Sequence, residues 1–417
     1  MNRAYYPRLA DGELESRLKR IGAVLIEGPK GCGKTETASR QAGSQIRLDT
    51  DPALLETALA APFNVLAGPT PRLVDEWQLA PGLWNAVRRE VDARQLDGQF
   101  ILTGSATPHD DSTRHSGAGR FSRLRMRTMT LAESDLSTKS IPLRGVLAGE
   151  PVTEGRGQLS LNDLIDEACH GGWPGDRARP TSAAMENVAD YVEEIAFDIR
   201  LTDAIRRDST RVRAVMRAIA RNTASEATLV TLAKDTLANG VPLNDDTAGL
   251  YLGALERLMV YEPVPAWSPA LRSRTRVRTR PKHHFTDPAM SVALLGATPA
   301  ALRLDIRTFG FIFESLAVRD LRAYSAPLGG AVFHYRDQSG LEVDAIVQTS
   351  NAWAAFEIKL GTSTGAIDKA AASLLAFNAR IDTQSSGRPA ALAVITATGF
   401  AYTRPDGVAV IPLSALT

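Results

Sequence analysis

The chain has 417 residues, more than one compact core needs, so two or three domains are expected. A formal net charge of +1, with 44% apolar and 23% charged residues, is ordinary for a soluble protein; no global field draws the chain onto nucleic acid or an anionic membrane. The two cysteines, Cys32 and Cys169, indicate no disulfide framework and fit a reducing cytoplasm; no apolar run is long enough to span a bilayer, and residues 1–20 lack the apolar stretch of a secretory signal.

In chain order, residues 12–20 read as a short amphipathic helix. Residues 23–27 (AVLIE) form a buried-type strand, followed by a glycine turn and a helix from about Lys34. Further strands are expected at 46–49, 73–75, 100–104 and 124–130, with helical stretches between them, for example 83–94. This alternation predicts an α/β fold with a parallel sheet covered on both faces. Residues 137–160 are polar and rich in Gly, Ser and Thr, which predicts a loop or mobile insertion. Residues 161–222 are helical in pattern, with helices expected at 211–221, 227–235 and 245–258 and an apolar segment at 259–267. Three helices followed by a strand pair is the order of a winged helix-turn-helix. From Phe309 the pattern becomes helix, three strands, helix, two strands.

Residues 28–35, Gly28-Pro29-Lys30-Gly31-Cys32-Gly33-Lys34-Thr35, follow a strand and open a helix, the context a phosphate-binding loop requires. Glycines let successive backbone N–H groups turn toward phosphate oxygens, and the helix start favours the same anion. Lys34 is expected to reach the β- and γ-phosphates of ATP, and Thr35 to ligate Mg²⁺ through its hydroxyl. Asp75 and Glu76, at the end of the 73–75 strand, supply a second magnesium-side acid and a general base. Pro71 and Arg72 leave only a short apolar run ahead of them. Thr103 or Ser105, ending the next strand, could orient the attacking water. Arg120 is a candidate arginine finger for a neighbouring subunit of a homo-oligomer, against the reading of a surface arginine. Cys32 is expected to be a passive loop residue.

On residues 28–35, 73–78, 100–105 and the Gly-Arg with its basic strand at 119–127, the first 200 or so residues resemble the AAA-type P-loop ATPases, closest to a prokaryotic group. The Gly-Gly-Trp-Pro at 171–174 also resembles that group, as a cap on a lid helix. The sequence departs from the family at the first sensor, where Asn is commoner than Thr or Ser, and Arg177 is only a candidate for the second sensor.

Three further features fall in order. Glu314 lies in an apolar helix, Asp344 in a strand (LEVDAIV), and Glu357 and Lys359 in the next strand (AFEIKL), two residues apart and so on one face. An adjacent strand could bring Asp344 beside them. The carboxylates would then offer hard oxygen ligands for Mg²⁺ or Mn²⁺, and the lysine would stabilise negative charge. Residues 305–415 resemble the PD-(D/E)XK nucleases on this order: Asp344 as first acid, Glu357 and Lys359 as Glu-X-Lys, Glu314 as the acid of the preceding helix. A solvated Glu–Lys strand face, or a nuclease-like fold that binds without cutting, stays open.

Arginines recur at every second position from Arg272 to Arg280 (LRSRTRVRTR), followed by Lys282, His283 and His284. If extended, the five arginines share one face and track phosphates. The alternative is a solvated loop. The expected organisation is an ATPase domain with helical lid at 1–200, a winged-helix-like linker at 201–290 and a mixed α/β nuclease-like domain at 291–417. The expected function is ATP hydrolysis coupled to metal-dependent action on nucleic acid, or binding of nucleic acid or a partner protein without cleavage. No membrane partner is expected.

Overall fold

The computed structural model describes residues 5–104, 117–202, 208–238, 240–268 and 280–417. They fall into two compact units. One takes the residues up to Thr128 with Trp173–Gly175 and Arg257–Val260; the other takes Met129–Gly172, Asp176–Glu256 and Tyr261–Thr417.

The first unit is built on five strands: β1 (Ala23–Glu27), β2 (Ser44–Arg47), β3 (Arg72–Asp75), β4 (Phe100–Gly104) and β5 (Phe121–Arg125). All pair in parallel, in the order β2-β3-β4-β1-β5. A parallel sheet is covered on both faces, so its central strands are apolar throughout. β1 and β4 are buried along their length except at Glu27. One face packs under Trp77, Trp84, Leu83 and Val87; the other packs under Leu14, Leu18 and Ala38. Arg72 does not break β3, because its guanidinium donates to the Val65 carbonyl at 2.8 Å and to Ser44 Oγ at 3.0 Å. β5 is shorter than the 124–130 strand expected from sequence, and the chain then leaves the sheet: Met126 N still bonds the Glu27 carbonyl at 2.7 Å, but Met129 falls in the second unit.

The second unit holds a seven-stranded mixed sheet made of β6 (Gly155–Arg156), β7 (Ala331–Arg336), β8 (Glu342–Gln348), β9 (Trp353–Lys359), β10 (Ala391–Thr396), β11 (Phe400–Thr403) and β12 (Ala409–Pro412). Their order is β6-β11-β12-β10-β9-β8-β7. β7, β8 and β9 form an antiparallel meander; β9, β10 and β12 run parallel. Helix Ile306–Ser325 leads into β7, and helix Thr364–Arg380 makes the crossover from β9 to β10 that a parallel pair requires. Trp267, Trp353, Phe377 and Leu374 fill the core beneath the crossover helix.

Residues 137–160 are not the outlying insertion that their composition suggests. They contain helix Leu143–Leu147 and edge strand β6, and they lock onto the residues after β12. Ile141 N donates to Ala415 O at 2.9 Å, Leu143 N to Thr417 O at 2.7 Å, and Ser137 Oγ to Leu416 O at 2.7 Å. The compact units therefore do not break at 200 and 290.

In the middle of the chain, helices Ser209–Arg221, Leu229–Ala238 and Asp245–Arg257 precede an antiparallel pairing of Tyr261 with Phe285 and Val264 with Lys282. Thr223 bridges His283 alongside it. Among the described residues, no helix is long and apolar enough to cross a membrane.

Candidate functional site

In the first unit the phosphate loop leaves the C-terminal end of β1. Gly28 is required there: a Cβ would lie 2.2 Å from the Met126 carbonyl oxygen. Gly33 carries φ 102° and caps the six-residue helix Lys34–Ser39. So short a helix contributes little dipole, and the loop's own groups have to do most of the anion's work. The buried Lys34 ammonium folds back onto the Gly28 and Pro29 carbonyls, 2.9 Å from each. Asp75, buried at the end of β3, is the point where the expected residues meet. Its Oδ1 accepts hydrogen bonds from Thr35 Oγ1 at 3.0 Å and from Thr103 Oγ1. Parallel register puts Asp75 opposite Thr103, so β3 and β4 carry carboxylate and hydroxyl to the same edge. A hydroxyl beside a carboxylate, next to a loop lysine, fits Mg²⁺ held between protein and phosphates.

Glu76 follows in a left-handed conformation, φ 54°, which turns the chain out of β3 into a 3-10 turn. Its carboxylate accepts from Gln78 Nε2, and burial, with Asp75 adjacent, pushes its pKa above the ordinary glutamate range. Gly104 leaves room for this pair, since a Cβ there would lie 2.5 Å from Gln78 Oε1.

Arg8, which the sequence reading passed over, and Trp173, expected only as part of a lid-helix cap, hold the loop. Arg8 donates to the carbonyls of Cys32 at 2.7 Å and Arg127 at 2.8 Å. Trp173 Nε1 donates to Lys30 O at 3.2 Å, and its ring lies where a Cβ on Gly31 would sit, 3.3 Å away. Trp173 and Pro174 therefore press on the phosphate loop. Arg8 lies 24 residues from Cys32 and leaves no local signal; the 143 residues between Lys30 and Trp173 hide that the Gly-Gly-Trp-Pro motif serves the loop. Cys32 is fully buried, with Sγ 4.0 Å from Met126 O.

Arg120 is not brought to this site. It precedes β5, at the sheet edge opposite the loop, and pairs with Asp92 at 2.7 Å. Ser105 lies outside the described residues. Arg177 is committed to a buried pair with Glu167 at 2.7 Å in the second unit.

In the second unit the C-terminal constellation also assembles. The β8–β9 register pairs Ala345 with Phe356, which carries Asp344 opposite Glu357. Lys359 Nζ lies 2.8 Å from Asp344 Oδ2 and 2.6 Å from Glu357 Oε2. The Ile358 N–H donates to Asp344 Oδ2 at 2.9 Å, and Ser373 Oγ donates to Glu357 Oε1 at 3.1 Å. Glu314 is reached through a residue not expected here. The buried Lys282 ammonium sits 2.7 Å from Glu314 Oε1 and 3.5 Å from Asp344 Oδ1. Burial raises Glu357 to about 8 and Glu314 to about 7; Asp344 is held well below the carboxylate range, because Lys282, Lys359 and the Ile358 amide outweigh its burial.

This donor set does not fit a divalent ion as it stands. Glu314, Asp344 and Glu357 are compensated by ammonium groups instead of being gathered as a cage. Among the described residues, no three His, Cys, Asp or Glu lie close enough together to hold a metal. His283 and His284 are also buried, so the run Lys282–His284 faces inward and does not extend the arginine stripe. The stripe from Arg272 to Arg278 lies outside the described residues; Arg280 is exposed.

Comparison with known proteins gives three family matches. Residues 21–134 match an AAA domain; residues 161–301 and 309–416 match two domains of unknown function (DUF8612 and DUF4143). Uncharacterised proteins of Mycobacterium bovis and Mycobacterium tuberculosis are each 25% identical over 88% of this chain and 77% of their own length. A Walker-type ATPase of Pyrococcus abyssi is 12% identical, covering 70% of this chain and 96% of its own, with a TM-score of 0.42. AMPPCP-bound DnaA from Aquifex aeolicus is 14% identical, covering 61% and 88%, with a TM-score of 0.24. The phosphate loop, Asp75 and Thr103, whose hydroxyl joins Thr35 on Asp75, all fall within the 21–134 stretch that matches an AAA domain, which supports a P-loop ATPase fold for the first unit.

Proposed function

We propose that the protein is an ATP-driven switch whose first unit binds and hydrolyses ATP with Mg²⁺ and whose second unit engages nucleic acid without cutting it. The observation that carries the ATPase reading is the convergence of Thr35 and Thr103 on Asp75 beside Lys34. In this reading Lys34 exchanges its loop carbonyls for the β- and γ-phosphates. Thr35 and Asp75 would hold Mg²⁺, which would supply charge neutralisation at the phosphates. Glu76 takes a proton from the attacking water, which Thr103 helps to orient. Arg120, far from its own loop, acts only if a neighbouring subunit of a homo-oligomer receives it.

Support for nucleic acid comes from an order like that of a winged helix, three helices and then isolated antiparallel bridges of Tyr261 with Phe285 and Val264 with Lys282, with the arginine-rich sequence between them. The absence of cleavage is favoured by Lys282, which compensates the acids a metal would need.

One observation favours a second reading, a metal-dependent nuclease: helix, three strands, helix, strand, with Asp344 opposite Glu357 and Lys359 at their side. The test is ATP turnover together with a nuclease assay on single- and double-stranded DNA and RNA, with Mg²⁺ or Mn²⁺. Turnover is expected in the wild type, and no nucleotide binding in Lys34→Ala; wild-type ATP affinity in that variant would remove the ATPase reading. Metal-dependent cleavage that is lost in Asp344→Ala would replace the binding reading with the nuclease one.

A further inference from the structure

The sequence reading did not place Lys282 with Glu314 and Asp344. Its ammonium lies between Glu314 Oε1, at 2.7 Å, and Asp344 Oδ1, at 3.5 Å. Its backbone is pinned on both sides of one residue: Lys282 N donates to Val264 O at 3.0 Å, and Val264 N donates to Lys282 O at 2.9 Å. The side chain is 6% exposed, against 38% for Lys359. The two lysines therefore differ in task. Lys359 stands at the mouth of the cluster, where a phosphate from solvent can meet it. Lys282 stands inside, beneath the acids. A lysine this deep is tolerated only when its charge is matched, and the two carboxylates it touches are tolerated only for the same reason.

We propose that Lys282 is the resident cation of the Glu314–Asp344 pair, and that a divalent ion enters this site only when the Lys282 ammonium leaves it. Between the Glu314 and Asp344 carboxylates the chain supplies the cation itself. Hard divalent ions need carboxylate oxygens turned toward them. Here Asp344 Oδ2 is spent on Lys359 and the Ile358 amide, so Oδ1, beside Lys282, is the oxygen a metal has to win. The inference deepens the reading of the second unit as a nucleic-acid module that does not cut: with Lys282 seated, metal-dependent chemistry at Asp344 is shut off.

The experiment counts Mn²⁺ bound by the full-length, nucleotide-free protein, using the free-ion electron paramagnetic resonance signal. Every sample carries Thr35→Ala so that the first unit does not contribute. The parent is expected to bind Mn²⁺ too weakly to fill the site at the concentrations used. Lys282→Met is expected to bind one Mn²⁺ per chain, at least tenfold more tightly than the parent, and addition of Asp344→Asn is expected to abolish it. One Mn²⁺ bound by the parent and lost with Asp344→Asn overturns the proposal, as does a folded Lys282→Met that gains none. If thermal melts show Lys282→Met unfolded, Lys282→Met with Glu314→Gln restores the charge balance. Recovery of the fold supports the counter-cation role, and failure to recover overturns it. Fluorescence anisotropy with labelled oligonucleotides on the same proteins keeps the two readings apart. No oligonucleotide binding would remove the nucleic-acid reading and leave Lys282 to be judged on the Mn²⁺ count.

Discussion

Glu76 combines a turn and a chemical role in one residue. The left-handed backbone at φ 54° is uncommon for a side chain with a Cβ, and it aims the carboxylate out of β3 beside Asp75. Gln78 holds it there. Glu76→Gln is expected to keep ATP bound and to slow hydrolysis by roughly 10²-fold or more, because an amide cannot accept the water's proton. Single-turnover kinetics beside a nucleotide-binding titration check this, and normal turnover would put the base elsewhere. A second residue-scale effect concerns the histidines of the second unit. Burial, with Lys282 nearby, lowers His334 from 6.5 to about 4, and His283 and His284 are also lowered by burial. A histidine kept neutral in the fold leaves the unfolded chain binding more protons below pH 6.5. His334's contribution is therefore full above pH 6.5 and is lost as pH falls from 6.5 toward 4, by up to about 1.4 kcal/mol per pH unit. Glu314 and Glu357, raised by burial, titrate with the opposite sign over the same range, so the readout is the difference between wild type and His334→Gln in thermal melts from pH 7 to 5: the variant should lose less stability toward low pH, and an identical pH dependence would show that His334 does not contribute.

At the scale of elements, the turn from β1 into the phosphate loop is held by close backbone approach. Any Cβ at Gly28 meets the Met126 carbonyl, which is backbone and cannot rotate away. Gly28→Ala is expected to cost about 1–3 kcal/mol, as overpacking does, and to displace the loop that Arg8 and Trp173 brace. A lower melting temperature together with weakened ATP binding is the expected result. A variant that binds ATP like wild type would show that the loop tolerates the shift. The elements themselves were largely legible. β1 and β4 appear at their expected residues because a buried parallel strand is an apolar run ended by polar or glycine residues. β5 was misplaced because Arg–apolar alternation continues past Arg125, whereas the chain stops pairing there.

At the scale of the whole molecule, the second unit is assembled from residues on both sides of the expected boundary at 200. Edge strand β6 pairs with β11, helix Leu161–His170 packs on helix Thr181–Thr202, and helix Pro288–Leu295 packs against both. A fragment of residues 201–417 is therefore expected to aggregate or melt without cooperativity, whereas one beginning at Met129 should fold. Circular dichroism melts of the two fragments decide it: cooperative folding of the shorter one would mean that residues 129–200 are dispensable.

The sequence alone determined the chemistry that depends on neighbours in the chain: the phosphate loop, the acids at a strand end, the Glu-X-Lys face, and the order of helices and strands. Spacing and periodicity carry those signals, because local backbone geometry converts them directly into position. Only the tertiary structure decided which charges meet. Lys282 read as the tail of a basic run and residues 137–160 as a loop, and Arg8 carried no signal; each lies far along the chain from what it binds. A buried ion pair is selected by mutual desolvation in the folded core, which leaves no mark on either residue's own neighbourhood.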